Sequence, residues 1–194
     1  MKRTRLGKED WLDLALSVLS ADGPEALRIE ALCRKASVTK GSFYHHFADM
    51  DAFLGDLGHY WIKRQTLDLM DDFSFDDLSA EAIAQVVDAS QKIDLSLELH
   101  IRDLARRHPG IAEVVAKADE MRLAFLAAQY ARRFGVSDTE ARDLSMLDFA
   151  CFLGCRILNP AMARDEQIRI YTYFEDILRL GIASRHAPAE EGAK

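Results

Sequence analysis

The chain has 194 residues, 49% hydrophobic and 29% charged, with a net charge of −7. This is the composition of a globular protein and not of a disordered one, and its length allows one large domain or two small ones. No run approaches the ~18 consecutive apolar residues of a membrane span, and the opening MKRTRLGKEDW lacks the apolar segment of a secretory signal, so a cytoplasmic chain without a membrane partner is expected.

Apolar residues Trp11, Leu12, Ala15, Leu16, Val18 and Leu19 recur with a period of 3.6 and predict a helix over 8–21. Asp22-Gly23-Pro24 ends it, because glycine and proline continue a helix only at a cost. A second short helix is expected over 28–36, with Ile29, Leu32 and Cys33 on one face. Ser37-Val38 makes a break, and Thr39 stands where it can N-cap a third helix over 40–46. Asp49 opens a fourth that runs through Phe53, Leu57 and Trp61 toward Met70. The segment 71–79 reads as a polar loop. Further helices are expected over 79–107, 110–134, 138–158 and 164–184, separated by His108-Pro109-Gly110, Gly135-Val136-Ser137 and Asn159-Pro160. After Gly181 the composition turns to that of a frayed tail. No strand alternation or internal repeat appears, so the fold class is all-α.

Charge is unevenly placed. Residues 1–50 hold eight Lys/Arg against seven Asp/Glu, and residues 51–194 hold 17 against 25. The distribution of charge says more about nucleic-acid binding than its sum. Two short helices joined by a tight turn read as a helix-turn-helix, whose second helix enters the major groove of DNA. In VTKGSFYHHF (38–47), Phe43 and Phe47 are one turn apart and can anchor such a helix to a core together with Val38. That leaves Thr39, Lys40, Ser42, Tyr44, His45 and His46 toward phosphates and base edges, while Gly41 permits close backbone approach. The plainer alternative is that Tyr44, His45 and His46 are surface residues of a helical bundle.

The run LRIEALCRKASVTKGSFYHHFADMDAFLGDL (27–57) closely resembles the N-terminal domain of the TetR (tetracycline-repressor-like) family of transcriptional regulators. Ala36, Val38-Thr39-Lys40-Gly41, Phe43-Tyr44 and His46-Phe47 stand where the family motif has them. The specific match covers about residues 8–57; over 58–194 only length and helical layout are similar. The resemblance implies a helix-turn-helix DNA-binding domain over 1–50, with its motif at about 28–47, and a helical ligand-sensing and dimerisation domain over 51–194. It carries DNA contact to Thr39, Lys40, Gly41, Tyr44, His45 and His46, with Arg28 and Ser42 as additions. The implied function is that of a repressor binding a palindromic operator in double-stranded DNA as a homodimer, released by a small-molecule effector. Activation in place of repression remains open. Three departures stand out. Ser37 replaces the usual turn glycine, Arg28 occupies a position that is often threonine or serine, and Met50 replaces a frequent backbone-contacting lysine. They leave a rival reading, a helical ligand-binding or scaffold protein with a degenerate DNA-binding head. Lys2, Arg3 and Arg5 could add a basic arm.

In the body, Leu144, Leu147, Cys151, Gly154 and Leu158 are spaced three, four, three and four apart, a seam for a facing helix. Ile170, Phe174, Ile177 and Gly181 form a similar series. These helices could pack on each other within one subunit, and the resemblance implies that they build the dimer interface. Trp61, Leu99, His100, Met121, Phe125, Phe149 and Phe152 are candidates to line a ligand pocket. Such stripes also fill the core of any bundle, and His100 could equally be satisfied by a backbone carbonyl. No Ser-His-Asp order, HExxH, phosphate loop or ExxH pair is present, and no enzyme, cofactor or metal site is expected. Cys33, Cys151 and Cys155 read as small buried hydrophobes, although Cys151 and Cys155 lie one helical turn apart.

Overall fold

The computed structural model describes residues 6–70 and 80–186. Within them the chain is helical and contains no strand, in agreement with the all-α reading: α1 Lys8–Asp22, α2 Ile29–Lys35, α3 Lys40–Tyr44, α4 Met50–Ile62, α5 Asp68–Met70, α6 Ala80–Ser90, α7 Leu95–Ala105, α8 Pro109–Phe134, α9 Asp138–Leu158 and α10 Arg164–His186. The loop expected over 71–79 and the end of the expected tail, 187–194, lie outside the described residues.

Two helices expected to be continuous are not. The fourth passes after Ile62 into a π-helical turn, Lys63–Leu67, before α5. The helix expected over 79–107 is divided into α6 and α7, because Asp94 turns its side chain back to accept from the Leu97 amide and starts a new helix there. Asp49 and Ser137 cap α4 and α9 in the same way, accepting from the amides of Ala52 and Glu140. Thr39 occupies the N-cap of α3 but makes no side-chain capping bond.

The chain forms two compact units, Met1–Asp72 with Lys92–Arg122, and Phe73–Gln91 with Leu123–Lys194. In the first, α1 packs against α4 and α7. Its core gathers Trp11, Leu19, Leu32, Phe43, Phe47, Phe53, Leu57, Trp61 and Ile101. A buried ion-pair network completes this unit. Glu98, 2% exposed, accepts from Arg102 and Arg122, and Arg102 also binds both carboxylate oxygens of Asp119. Arg122 further donates from Nε to Thr66 Oγ1 at 3.1 Å and from Nη2 to the Gln65 carbonyl at 3.1 Å, and it lies over the Trp61 ring. The guanidinium thereby ties the π-helical turn to α8. In the second unit, α6 packs on α10, and a smaller core contains Tyr130, Val136, Ala141, Leu144, Leu178 and Ile182.

Candidate nucleic-acid interface

The turn between α2 and α3 is a Schellman arrangement. The Val38 amide donates to the Cys33 carbonyl at 2.9 Å and the Ser37 amide to the Arg34 carbonyl at 3.1 Å. The residue between Ala36 and Val38 must then adopt a left-handed conformation, and Ser37 does so with φ 57. Left-handed backbone costs an L-residue about 1–2 kcal/mol, so the serine holds strain that glycine would not. The same turn returns the chain at the angle that separates α2 from α3.

Phe43 anchors α3. It is fully buried, with its ring centroid 5.5 Å from Trp11 on α1, 5.1 Å from Phe47 and 5.2 Å from Phe53 on α4. Aromatic contacts of this geometry add to simple burial. With that side of the short helix committed to the core, Thr39, Lys40, Gly41, Tyr44 and His45 are exposed and Ser42 is half-buried. Tyr44 stands edge-on against Phe43 with half of its surface open. His46 sits differently: its Nε2 lies 2.9 Å from the carbonyl oxygen of Leu6, so it holds the segment ahead of α1.

The two basic side chains of the site each have an acidic neighbour. Lys40 Nζ donates to Glu30 on α2, which raises the Lys40 pKa and lowers that of Glu30. Arg28 lies 3.8 Å from Glu25, an acid that Arg107 also holds. Arg28 is the N-cap of α2 and makes no side-chain capping bond, as expected of a guanidinium, which has donors only. These acidic partners of Lys40 and Arg28 were missed by the sequence reading. The spacing of Glu30 and Lys40 across the turn could have suggested the first.

The candidate pocket residues are distributed between the two units. In the first, Trp61 is wholly buried in the core, Leu99 is 40% exposed and Met121 is half-buried. His100 uses Nδ1 to reach the Leu19 carbonyl at 2.6 Å, and its ring faces Gly23, which is in a left-handed conformation with φ 77. In the second, Phe149 and Phe152 stack with centroids 6.4 Å apart, and Phe125 is half-buried. A small recess of about 10 Å³ in that unit is lined by Phe152, Cys155, Arg156, Met162, Gln167, Ile170 and Tyr171.

The candidate dimer residues also separate. Leu144 is buried in the second unit's own core and Phe174 packs against that core, while Ile170 lines the recess. Leu147, Leu158 and Ile177 are exposed, together with Tyr173 and Leu180, and a Cβ added at Gly154 would meet nothing within 4 Å. Cys33 is buried in the first core, as read from the sequence, but Cys151 and Cys155 are only half-buried.

A short left-handed turn, an aromatic-anchored second helix and an exposed face of hydroxyl, ammonium, phenol and imidazole groups define a helix-turn-helix head. Residues 12–57 match the family model described as bacterial regulatory proteins, tetR family. No curated protein sequence matches the chain. Among solved structures, a chain from Pseudomonas aeruginosa PAO1 shares the fold with a TM-score of 0.70 at 20% identity, over 95% of this chain and 98% of that one. A transcriptional regulator from Rhodococcus sp. Rha1 does so with a TM-score of 0.69 at 18% identity, over 84% and 91%. Salmonella enterica GusR has a TM-score of 0.64 at 17% identity, over 91% and 93%. Residues 12–57 thus carry the helix-turn-helix DNA-binding segment that the tetR-family model describes, and the chain shares its fold with these solved transcriptional regulators.

Among the described residues no helix is long and apolar enough to cross a membrane.

Proposed function

We propose that this chain is a cytoplasmic, ligand-responsive repressor that binds a palindromic operator as a homodimer and releases it when a small molecule binds its C-terminal residues. The observation that carries the reading is the division of α3 and its flanks, with Phe43 and Phe47 buried while Thr39, Lys40, Tyr44 and His45 are exposed. A five-residue helix is too short to be stable alone, and its buried aromatics fix it so that the outward groups are held ready for DNA. In this reading residues 1–50 bind DNA, with Arg28, Ser42 and Gly41 adding contacts, and residues 51–194 sense and dimerise. Support for dimerisation comes from the exposed apolar side chains of α9 and α10, Leu147, Leu158, Tyr173, Ile177 and Leu180, since grouped apolar exposure marks interaction surfaces. Two heads related by a two-fold axis read two half-sites in inverted repeat.

The test is selection of binding sites from randomised duplex DNA with purified protein. Recovery of an inverted repeat supports the reading, and its symmetry reports the dimer. The rival, a ligand-binding helical protein with a degenerate head, draws on the acids that hold Lys40 and Arg28 and on Met50 in place of a lysine. It is favoured if no sequence is enriched.

A further inference from the structure

We propose that Cys151 and Cys155 on α9 form a two-thiolate site for a soft monovalent cation of the Cu(I) type. Their Sγ atoms lie 4.0 Å apart, one helical turn from each other, in a half-buried position. This is well beyond the ~2.05 Å of a disulfide bond, and it places two sulfur donors side by side without backbone rearrangement. Cys155 also lines the recess that contains Met162 and Arg156. Met162, a residue with a thioether, is thus among the lining residues beside a thiol, and soft sulfur donors favour Cu(I), zinc and iron–sulfur clusters.

Size and donor number narrow the ligand. The recess, at about 10 Å³, is far smaller than the roughly 300–1,000 Å³ of pockets that take drug-sized molecules, and it has room for an ion or a single water. Structural zinc sites need four nitrogen, sulfur or oxygen ligands, and among the described residues no group of three or more His, Cys, Asp or Glu is arranged to hold a metal. A monovalent d10 ion is satisfied by two thiolates.

Burial pushes the Cys151 thiol up to about 11, with Cys155 adding to the effect. On binding, each S–H bond is lost and one S–Cu bond forms in its place. Two protons leave to solvent, copper stays Cu(I), and the bis-thiolate carries one negative charge. Arg156, whose guanidinium donates to the Ser90 carbonyl and lies over Phe152, borders the same recess and offsets that charge.

The experiment is anaerobic titration of the full chain with Cu(I), supplied as its acetonitrile complex and competed against bathocuproine disulfonate. The wild-type chain should retain one Cu(I) and show an ultraviolet thiolate-to-copper charge-transfer band, while Cys33→Ala, altered in the other unit, should retain both. Cys151→Ser and Cys155→Ser should each lower affinity by more than about 100-fold, beyond the ~10–100-fold typical of losing a supporting residue. Circular dichroism checks that each variant is folded. Full removal of copper from the wild type by the chelator, or equal retention by the Cys151→Ser/Cys155→Ser double variant, would overturn the site. The measurement uses no DNA, so its outcome is separate from that of the operator selection.

Discussion

Arg122 and Glu98 form a buried ion pair in which two guanidinium nitrogens reach the two carboxylate oxygens at 2.9 and 3.2 Å. Glu98 also holds Arg102, and Arg122 also holds the π turn that continues α4, so one arginine ties α7, α8 and the end of the helix that follows the head. Such a pair contributes little net stability compared with apolar packing, but removing one partner leaves a buried charge uncompensated. Arg122→Ala is predicted to destabilise the protein by about 3 kcal/mol, the lower end of the ~3–5 kcal/mol seen for broken buried pairs, since Arg102 remains on Glu98. Adding Glu98→Gln should restore part of the loss. Denaturant unfolding of the single and double variants measures the coupling, and additive effects would contradict it.

A second prediction concerns Lys40. Its ammonium is held by Glu30 across the helix-turn-helix turn, and to reach a phosphate it must leave or share that carboxylate. Glu30→Gln should strengthen binding to every duplex sequence, and Lys40→Ala should weaken it. The alanine variant should also reduce the slope of log K against log salt by about 0.9, the value for one phosphate contact. Tyr44→Phe should weaken binding while leaving the fold unchanged, because the ring against Phe43 is kept. Salt titrations of all three variants decide this, and identical slopes for Lys40→Ala and wild type would remove Lys40 from the interface.

The strained turn offers a stability test. Ser37→Gly should raise stability by about 0.5–1 kcal/mol, the left-handed penalty of about 1–2 kcal/mol less the extra freedom glycine gives the unfolded chain. Ser37→Val should destabilise, because a β-branched side chain tolerates this conformation least. At the other end of α2, Arg28→Ser should add about 1 kcal/mol by capping an amide that the guanidinium cannot. Thermal melts compare the three, and a lower Tm for Ser37→Gly would show that the serine hydroxyl, and not the backbone, determines this position.

Desolvation of the half-buried Asp148 carboxyl predicts a pH dependence. Desolvation raises its pKa from 3.8 to about 7, against a hydrogen bond from Tyr130 and the charge of Arg133, which pull it down, while Glu175 pushes it further up. Arg133 is itself paired with Glu175 on α10. Between about pH 4 and pH 7 the folded chain therefore binds a proton that the unfolded chain does not. By linkage, this residue's contribution to stability is greatest at acid pH and declines as pH rises through that window. Asp148→Asn should gain stability relative to wild type as pH increases, with the gain levelling off above about pH 7. Unfolding midpoints from pH 4 to pH 8 follow the difference, and a constant offset would exclude the raised carboxyl.

Gly154 is a probe of dimerisation, because among the described residues a Cβ placed there meets nothing beyond its own helical turn within 4 Å. Gly154→Leu should leave the helicity intact and push against a helix from a second copy, where overpacking costs about 1–3 kcal/mol. Sedimentation should show dissociation, accompanied by loss of operator affinity. A variant that sediments as wild type and binds operator normally would place the interface elsewhere.

By itself the sequence determined the helices, most of their ends, and the head. Periodicity, Gly-Pro breaks and capping side chains such as Asp49 and Ser137 are local signals, and local backbone energetics translate them directly into boundaries. The sharing of Phe43 and Phe47 with the core was legible for the same reason, since residues four apart occupy one face of a helix. The π turn after Ile62 was not legible, because its stabilising donor, Arg122, is 57 residues from Gln65 in the chain. Nor was the division of His45 and His46. Both are polar residues beside the same aromatics, and only the position of the Leu6 carbonyl turns His46 away from the outer face. The acid on Lys40, the desolvated carboxyl of Asp148 and the half-burial of Cys151 and Cys155 likewise follow from which helices meet. Desolvation and charge pairing depend on neighbours in space, and those neighbours are set by packing between segments far apart in the sequence.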